Sequence, residues 1–354
     1  MKLGILTYSP KENEGLSVTA KKRGHEVTFI DPGKVLMYIS EHEKGYDRFY
    51  YGDEGDEPDR ITAKSLDCVI NRIGSNTEYA ASVLRFMTEN LGVYCPNNAW
   101  GLILAANKAW TLQRLSSCGI KVPRTIVGES PVYIEWIVNK IGSLPIVIKT
   151  NHGSKGKTVA IVDTKRSANS MFEFVYNSGL KVLIEEYIES DSSDYRVWVV
   201  GDRVAVAMKR TSMDKNDFKA NISRGAKGEK VELSQEDQDL CVKAAHSIGL
   251  RVAGVDLMKS KVTGKSYIIE INSNPGIKII NITGHNVFED VIKYCEENYK
   301  NNEIEPGFNA FFDGLILSEG ELFKRWNATN KQVIDLKKQV EKYEEQNRKT
   351  LFRF

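Results

Sequence analysis

The sequence predicts a protein of mixed α/β and α+β class, with a parallel amino-terminal lobe, antiparallel strands in the middle and a helical carboxyl-terminal extension. Three observations predict it. Strand and helix patterns alternate at the start of the chain, later strands are joined by short turns, and the last residues carry a heptad pattern. At 354 residues the chain is long enough for several lobes. We expect boundaries that divide it into residues 1–97, 98–190, 191–302 and 303–354.

The composition is that of an ordinary globular chain, with 41% hydrophobic and 27% charged residues. A net charge of +2 gives no sign of direct nucleic-acid or membrane binding. The chain has neither a long apolar run nor a signal-peptide pattern at MKLGILTYSP. The five cysteines have irregular spacings and no CxxC pair, which favours a reducing, cytoplasmic location over a zinc site or a disulfide framework.

The amino-terminal lobe is predicted to be a small parallel sheet covered by helices. Its strands are KLGILTY, HEVTFID and DCVINRIG. A helix over residues 12–23 ends at Gly24, and another runs from Asn76 or Thr77 to Gly92. This β-α-β order predicts parallel pairing.

The middle of the chain is predicted to be mixed, with antiparallel hairpins. One helix is expected over residues 98–117, followed by the strand KVPRTIV and the strand–turn–strand SLPIVIKTNHGSKGKTVAIV. KVLIEEYIES is a further strand, and residues 195–211 form a hairpin that turns at Gly201 and Asp202. A helix over residues 234–249 precedes the strands RVAGVDLMKS and SYIIEIN.

Residues 303–354 have a different pattern. Their apolar side chains follow the alternating spacing of four and three that is typical of a heptad seam, at Leu322, Trp326, Thr329, Val333, Leu336, Val340 and Tyr343. Two interpretations stay open. The segment forms a coiled coil that supports a homo-oligomer, or it is one amphipathic helix lying on its own domain.

Three oxygen-bearing side chains in two apolar strands indicate a metal site. Glu270 and Asn272 are two residues apart, so they share one face of a strand, while Ile269 and Ile271 point into the core. Asp256 lies in the preceding strand, and a hairpin across KSKVTG would place it beside Glu270. Hard oxygen ligands of this kind are typical of Mg²⁺ completed by nucleotide phosphates. The alternative for each acid is an ordinary salt bridge.

Two further segments have features of a nucleotide site. Lys149 ends an apolar strand, and the turn after it contains Gly153, Ser154 and Gly156, whose N–H groups could surround phosphate oxygens, although the spacing is not that of a Walker loop. The strand end at Glu185 to Ile188 offers backbone groups to an adenine edge, and Asp194 follows on the same rim. The alternatives are a plain turn and a surface strand end.

Taken in order, these motifs resemble the ATP-grasp superfamily and, within it, the RimK-type glutamate ligases. The resemblance runs from about residue 1 to residue 302. The motifs that carry it are AANKAWTLQRL, PIVIKTNHGSKGKTV, EEYI, DYRVWVVGDRVAVAMKR, FKANISRG, VAGVDLM and IIEINSNPG.

The resemblance implies an ATP-grasp fold and an ATP-dependent carboxylate–amine ligase that works through an acyl phosphate. The implied acceptor is the carboxyl terminus of a protein or peptide, to which glutamate is added. The implied cofactor is Mg²⁺, as two ions, with Mn²⁺ as an alternative. The implied nucleotide contacts are Lys108 and Lys149 for the phosphates, Asp194 for the ribose, and Glu185, Glu186, Tyr187 and Ile188 for the adenine. Lys219 and Asn221 of the FKAN stretch are further implied contacts to the nucleotide. At Lys219 this chain departs from the family, which has arginine there. Implied magnesium ligands are Asp256, Glu270 and Asn272.

Cationic side chains are expected to stabilise the reacting groups. Arg210 ends the VAVAMKR strand and is expected, with Lys149, to stabilise the charge of the acyl phosphate. Arg72 and Arg224 are candidate holders of a substrate carboxylate. Arg210 and Asn274, the latter in the motif IIEINSNPG, are further candidate substrate residues. Competing functions are a ligase for a small molecule or natural-product peptide, an ATP-grasp kinase and a non-catalytic ATP-binding module.

Overall fold

The computed structural model describes residues 1–39, 49–52, 57, 59–61, 65–128, 134–151, 159–212 and 227–300. The heptad segment lies outside these residues. So do six of the predicted site residues, which are Gly153, Ser154, Gly156, Lys219, Asn221 and Arg224. In the part of the chain that is described, no helix combines the length and the apolar character needed to cross a bilayer.

The amino-terminal sheet is parallel, as predicted, and its strands lie in the order β2 (Glu26–Ile30), β1 (Lys2–Leu6) and β6 (Cys68–Asn71). Strands β1 and β6 are almost fully buried, whereas β2 is partly exposed. A small antiparallel sheet, β3-β4-β5, was not predicted from the sequence. The elements of this lobe are β1 (Lys2–Leu6), α1 (Glu14–Lys22), β2 (Glu26–Ile30), β3 (Val35–Met37), β4 (Phe49–Tyr51), β5 (Asp59–Arg60), β6 (Cys68–Asn71) and α2 (Thr77–Arg85).

The predicted helix over residues 98–117 is in fact two helices, α3 (Ala99–Ala106) and α4 (Lys108–Ser117). Asn107 interrupts them because its backbone is extended and its Oδ1 accepts a hydrogen bond of 3.0 Å from the N–H of Trp110. A side chain that caps a helix in this way starts a new one. Lys108 therefore lies at the first position of α4 and not in the middle of a long helix.

A second sheet is antiparallel, and its strands lie in the order β7 (Thr125–Gly128), β10 (Val182–Glu186), β8 (Ile146–Thr150) and β9 (Val159–Val162). Two helices that were not predicted from the sequence, α5 (Ile134–Ile141) and α6 (Lys165–Asn177), pack on it. Ile137, Ile141, Phe172 and Val175 of these helices are buried against Ile146, Ile148 and Ile184 of the sheet. The elements are β7 (Thr125–Gly128), α5 (Ile134–Ile141), β8 (Ile146–Thr150), β9 (Val159–Val162), α6 (Lys165–Asn177) and β10 (Val182–Glu186).

The third sheet has five antiparallel strands in the order β13-β12-β11-β14-β15. The predicted hairpin at residues 195–211 is confirmed, and Gly201 has the positive φ of 61° that its tight turn needs. The elements are β11 (Ser193–Val200), β12 (Arg203–Thr211), β13 (Lys227–Val231), α7 (Gln235–Ser247), β14 (Val252–Lys259), β15 (Ser266–Asn272), α8 (Lys278–Thr283) and α9 (Val287–Asn298).

The first and third sheets share one hydrophobic core, although they are far apart in sequence. Helix α9 contributes to this core, and Trp198 is fully buried in it. The core includes Leu3, Ile5 and Ile70 of the first sheet, Trp198, Val206 and Val252 of the third, and Val287, Val291 and Ile292 of α9. The four-stranded sheet has a separate core with its own helices.

An ion-pair cluster ties α1 and β2 to α9. Glu296 accepts from Arg23, with 2.6 Å between Nη2 and Oε2, and lies 2.7 Å from Nε2 of His25. The hydrogen bond from Arg23, together with His25, lowers the pKa of Glu296 despite some burial. A carboxylate with a depressed pKa stabilises the folded state above its ordinary pKa, and that stabilisation is lost as the pH falls.

We therefore expect Glu296→Gln to lower the free energy of unfolding by about 0.2–1 kcal/mol at pH 7. The difference from wild type should shrink as the pH falls from the ordinary glutamate value of 4.5 through the lower pKa of Glu296 in the folded protein, because the folded carboxylate becomes protonated only there. Urea unfolding at pH 7 and at pH 3 measures both quantities. Glu297→Gln, on the exposed side of the same helix, is the matched control. An equal deficit at both pH values would contradict this account.

Candidate functional site

The five-stranded sheet carries a row of charged side chains on one face. The strand register places Asp194 opposite Arg210, Arg196 opposite Asp256, and Asp256 opposite Glu270. Residues paired across antiparallel strands point to the same side of the sheet, and so do residues two positions apart. These five side chains therefore form one row across four strands, and Asn272 lies on the same face. The predicted hairpin that places Asp256 beside Glu270 is confirmed.

The core side of β15 differs from the prediction at one position. Ile271 is fully buried, but Ile269 is only half-buried, and Ile268 takes its place in the core. The cause is a register shift after Asp256, where Leu257 pairs with Ile268 and leaves Ile269 without a partner across the strands. Such a bulge interrupts the alternation from which the prediction was made.

Arginine and aspartate alternate along the charged row. Arg210 donates to both carboxylate oxygens of Asp194, at 2.6 and 2.7 Å, and its Nη2 lies 3.2 Å from Oδ2 of Asp256. Arg196 donates to both oxygens of Asp256 through Nε and Nη2. Arg210 is only 5% exposed, so these contacts are shielded from water. Glu270, in contrast, makes no ion pair with a residue that the structure describes.

The two arginines of the row favour the ionised forms of its two aspartates. Burial alone would raise the pKa of Asp256, but the guanidinium groups of Arg196 and Arg210 hold that pKa below its usual value. Burial raises the pKa of Asp194 to about 6, against the opposing effect of Arg210. Three carboxylates and two guanidinium groups leave the row with one net negative charge.

The oxygen donors of the row fit a divalent cation that other ligands help to hold. Among the described residues, Glu270 has no cationic partner, and the buried Nδ2 of Asn272 has no hydrogen-bond partner. No group of three His, Cys, Asp or Glu suited to a metal occurs in the described ranges. An ion here would therefore take few protein ligands, from Asp256, Glu270 and the amide oxygen of Asn272. Sparse carboxylate ligation completed by phosphate oxygens is typical of Mg²⁺.

The four-stranded sheet carries a buried lysine–glutamate pair. Nζ of Lys149 lies 2.6 Å from Oε2 of Glu185, whose side chain is 3% exposed. The next residue, Glu186, has a different partner, because its carboxylate accepts from the N–H and the Nε of Arg124 at 2.9 and 2.7 Å. The two neighbouring acids of EEYI therefore have separate environments. Beyond them Tyr187 is half-buried and Ile188 is buried.

Asn151 connects the start of α4 to the end of β8. Its carbonyl accepts from the N–H of Lys108 at 3.4 Å, and its Oδ1 accepts from the N–H of Ala109 at 3.0 Å. Lys149 lies two residues before Asn151 in the same strand end. The backbone positions of the two predicted phosphate-binding lysines, Lys108 and Lys149, are therefore brought together.

Segments next to the four-stranded sheet are hydrogen-bonded to the β14–β15 hairpin. The carbonyl of Lys121, before β7, accepts from the N–H of Ile268 at 2.9 Å. The carbonyl of Glu189, after β10, accepts from the N–H of Lys261 at 2.7 Å. The sheet that carries Lys149 is thus anchored beside the sheet that carries the charged row.

Arg72 reaches from the amino-terminal sheet to the turn that follows β15. Its Nε donates to Oδ1 of Asn13 at 2.8 Å, and its Nη1 donates to the carbonyl of Pro275 at 3.2 Å. Burial lowers the pKa of Arg72 to about 10, although the charge of Glu12 acts in the opposite direction. Arg72 forms no ion pair with a carboxylate in the described part of the chain.

The turn at Pro275 lies close against the sheet because Gly254 has no side chain. A Cβ built at Gly254 would come within 2.5 Å of Cβ of Pro275, which is closer than any real contact. The turn also holds Asn274, whose Oδ1 is buried without a hydrogen-bond partner among the described residues. The predicted substrate residues Arg72 and Asn274 therefore meet at the same turn, next to the strand of Glu270 and Asn272.

Two residues of this arrangement were missed in the sequence. Arg196 follows Asp194 by two positions in a strand, so it shares a face with the predicted acid, and this spacing could have identified it. Asn13 offered no comparable signal, because it contacts Arg72 from a distant part of the chain.

Comparisons with known proteins identify the family of the chain. The family model of the RimK PreATP-grasp domain matches residues 1–102, and that of the RimK-like ATP-grasp domain matches residues 105–295. A protein of Legionella pneumophila (strain Corby) named "Probable alpha-L-glutamate ligase" is 34% identical over 305 residues, which cover 85% of this chain and 97% of that protein.

Two solved structures have the same fold at low identity. One is the ATP-grasp ligase PsnB complexed with a phosphomimetic variant of minimal precursor, Mg and ADP, with a TM-score of 0.64, 16% identity, and coverage of 84% of this chain and 98% of that one. The other is the macrocyclase MdnC of Microcystis aeruginosa MRC bound with precursor peptide MdnA, with a TM-score of 0.61, 16% identity, and coverage of 85% and 100%. The predicted ATP-grasp fold is confirmed. The chain thus belongs to the RimK-type ATP-grasp family of ATP-dependent ligases.

Proposed function

We propose that this protein is a Mg²⁺-dependent carboxylate–amine ligase that adds glutamate to the carboxyl terminus of a peptide or protein. The observation that carries the proposal is the row of Asp256, Glu270 and Asn272 on one sheet face, next to the buried Arg210. The name of the Legionella relative supports glutamate, and the precursor peptide bound by the macrocyclase MdnC supports a peptide acceptor.

The reaction has two steps in this proposal. A substrate carboxylate oxygen attacks the γ-phosphorus of ATP, the bond from that phosphorus to the β–γ bridging oxygen breaks, and ADP leaves. The amine nitrogen of the amino acid then attacks the acyl carbon of the acyl phosphate, inorganic phosphate leaves, and the amine proton passes to solvent or phosphate. Phosphoryl transfer of this kind depends on positioning and on charge neutralisation.

The side chains divide these tasks. Asp256, Glu270 and Asn272 would hold Mg²⁺, which supplies positive charge to the phosphate oxygens. Lys108 and Lys149 neutralise the phosphates, and residues 185–188 border the adenine. Arg210 stabilises the charge of the acyl phosphate. Because Asp194 is bound to Arg210 through both oxygens, orienting that guanidinium suits it better than the predicted contact to ribose.

Product analysis tests the proposal. The full chain is incubated with Mg²⁺, ATP, glutamate and candidate acceptor peptides, and the peptides are measured by mass spectrometry. Serial addition of single glutamate residues, with phosphate released only when both substrates are present, is the expected result. A phosphorylated product without free phosphate would instead identify an ATP-grasp kinase. Addition of a different building block would overturn the glutamate assignment.

We also propose that residues 1–97, 98–190 and 191–302 act as three lobes around the site, and that the heptad segment in residues 303–354 joins copies of the chain. Deleting residues 319–354 should then reduce the mass in solution to that of a monomer, as measured by light scattering. An assembly that survives the deletion would remove the heptad segment from the interface.

A further inference from the structure

We infer that Arg72 is an anion site for a carboxylate of a substrate, and that Asn13 is a positioning residue that holds Arg72 without neutralising it. This inference rests on the proposed ligase function, because that reaction brings together substrates that carry carboxylates. It adds a residue, Asn13, whose role the sequence pattern does not indicate.

Asn13 is fixed on every side. It is 3% exposed, its Nδ2 donates to Oγ1 of Thr7 and to the carbonyl of Ser9, both at 3.0 Å, and its Oδ1 accepts from Nε of Arg72 at 2.8 Å. Thr7, which accepts from Asn13, is itself buried. An amide whose donors are both engaged presents its oxygen in one direction, so the plane of the Arg72 guanidinium is set by the fold.

The position of Arg72 suits a ligand. It follows β6, and its N–H donates to the carbonyl of Leu6 at the end of β1, at 2.9 Å. In the order β2-β1-β6, the first connection leads from β1 to its neighbour on one side, and the chain later returns to place β6 on the other side of β1. The segments that follow β1 and β6 therefore run in different directions from the carboxyl edge of the sheet. Open parallel sheets bind ligands at such a point. Here that point also borders Pro275, in the turn after the strand of Glu270 and Asn272.

Arg72 forms no ion pair with a described carboxylate, in contrast to Arg196 and Arg210. Those two arginines donate to carboxylates, whereas Arg72 donates to an amide oxygen and a peptide carbonyl. A guanidinium withdrawn from water without a counter-ion is costly unless a ligand supplies the negative charge. Arg72 donates hydrogen bonds through Nε and one proton of Nη1. Nη2 and the second Nη1 proton are left to donate two parallel hydrogen bonds to a carboxylate.

The carboxylate could come from either substrate, namely the α-carboxylate of the incoming amino acid or the terminal carboxylate of the acceptor peptide. The shared chemistry is a planar, singly charged carboxylate. Glutamic acid α-amide and a carboxyl-amidated acceptor peptide separate the two sources, because each lacks one of these groups.

The decisive variant is Asn13→Asp. It keeps the approximate shape of the side chain, although its second oxygen can no longer donate to Thr7 and Ser9, and it supplies Arg72 with a carboxylate. The substrate must then compete with a built-in counter-ion. The KM of the substrate that uses Arg72 should rise about tenfold or more, while the KM for ATP stays unchanged. If the role of Arg72 were purely structural, the new carboxylate would hold its guanidinium at least as well as the amide does, and no KM would change.

Arg72→Gln is the second variant, in case Asn13→Asp fails to fold, which thermal unfolding will reveal. It should raise the same KM, and Arg72→Lys should restore part of the loss because it keeps the charge but not the planar fork. Arg85→Gln is the matched control, since Arg85 is an exposed arginine of the same lobe that pairs with Glu89.

Calorimetric titration of glutamate and of the acceptor peptide into the full chain separates this inference from the proposed function. If wild type binds one of them and folded Asn13→Asp or Arg72→Gln does not, the anion site stands even where no ligation is detected. A variant that binds glutamic acid α-amide as well as it binds glutamate shows that Arg72 holds the α-carboxylate of the amino acid. A variant that binds the amidated peptide as well as the free peptide shows that Arg72 holds the terminal carboxylate of the acceptor. Unchanged binding and unchanged KM values in both folded variants would overturn the inference.

Discussion

Replacing Glu270 by glutamine should lower kcat about 10²–10³-fold while leaving the folded state as stable as wild type. The two effects separate because Glu270 makes no ion pair with a described residue, so no buried cation loses its partner. The substitution nevertheless removes the one net negative charge of the row, and with it the attraction for a divalent cation. Phosphate release at saturating ATP, Mg²⁺, glutamate and acceptor peptide measures kcat, and urea unfolding measures stability.

Glu229→Gln is the control for this prediction, because Glu229 is an exposed acid on β13 of the same sheet. It should leave both measurements unchanged. A Glu270→Gln protein that retains wild-type kcat would show that the carboxylate is not required, and the proposed metal site would then be wrong.

Replacing Asp256 by asparagine should abolish activity and also destabilise the fold, by about 3–5 kcal/mol. Asp256 compensates Arg196 through two hydrogen bonds and contributes to the compensation of Arg210. Asparagine fills the same space but leaves Arg196, whose side chain is 15% exposed, without a counter-ion. Arg210 is affected less, because it keeps Asp194. Denaturant unfolding combined with the kinetic assay tests both parts.

The double variant Asp256→Asn/Arg196→Met sharpens this test. Removing both charges of a buried pair is far less costly than removing one, so stability should recover in part. Activity should not recover, because the carboxylate that would hold the cation is still missing. If Asp256→Asn unfolds at the same denaturant concentration as wild type, the ion pairs of Asp256 with Arg196 and Arg210 do not stabilise the fold.

Local pattern predicted much of the fold. Strands with alternating or continuous apolar residues were found where the structure has them, and so were the turns at Gly24 and Gly201, because both depend on neighbours in sequence. The break at Asn107 was missed, since an uninterrupted helical pattern hides a residue that caps the next helix. The strands β3, β4 and β5 were missed because two or three residues are too short to show a period.

The site could be predicted in part, for the same reason. Asp256 and Glu270 belong to a short hairpin, so their pairing follows from its length and was confirmed. Glu185 and Glu186 look equivalent in the sequence, yet one pairs with Lys149 and the other with Arg124. Both of those partners lie in other segments of the chain, so the sequence pattern could not assign them.

Local patterns in the sequence predict which side chains share a strand face, except at the bulge that leaves Ile269 half-buried, and the ordered motifs indicate the family. How each charge is compensated follows only from the folded structure. Within the described residues that structure distinguishes the neutralised Asp256 from Glu270, which has no cationic partner, and the paired Arg210 from Arg72, which has no carboxylate partner. The difference arises because side-chain periodicity is a property of neighbouring residues. The energy of a buried charge, in contrast, depends on groups that only folding brings within a few ångströms.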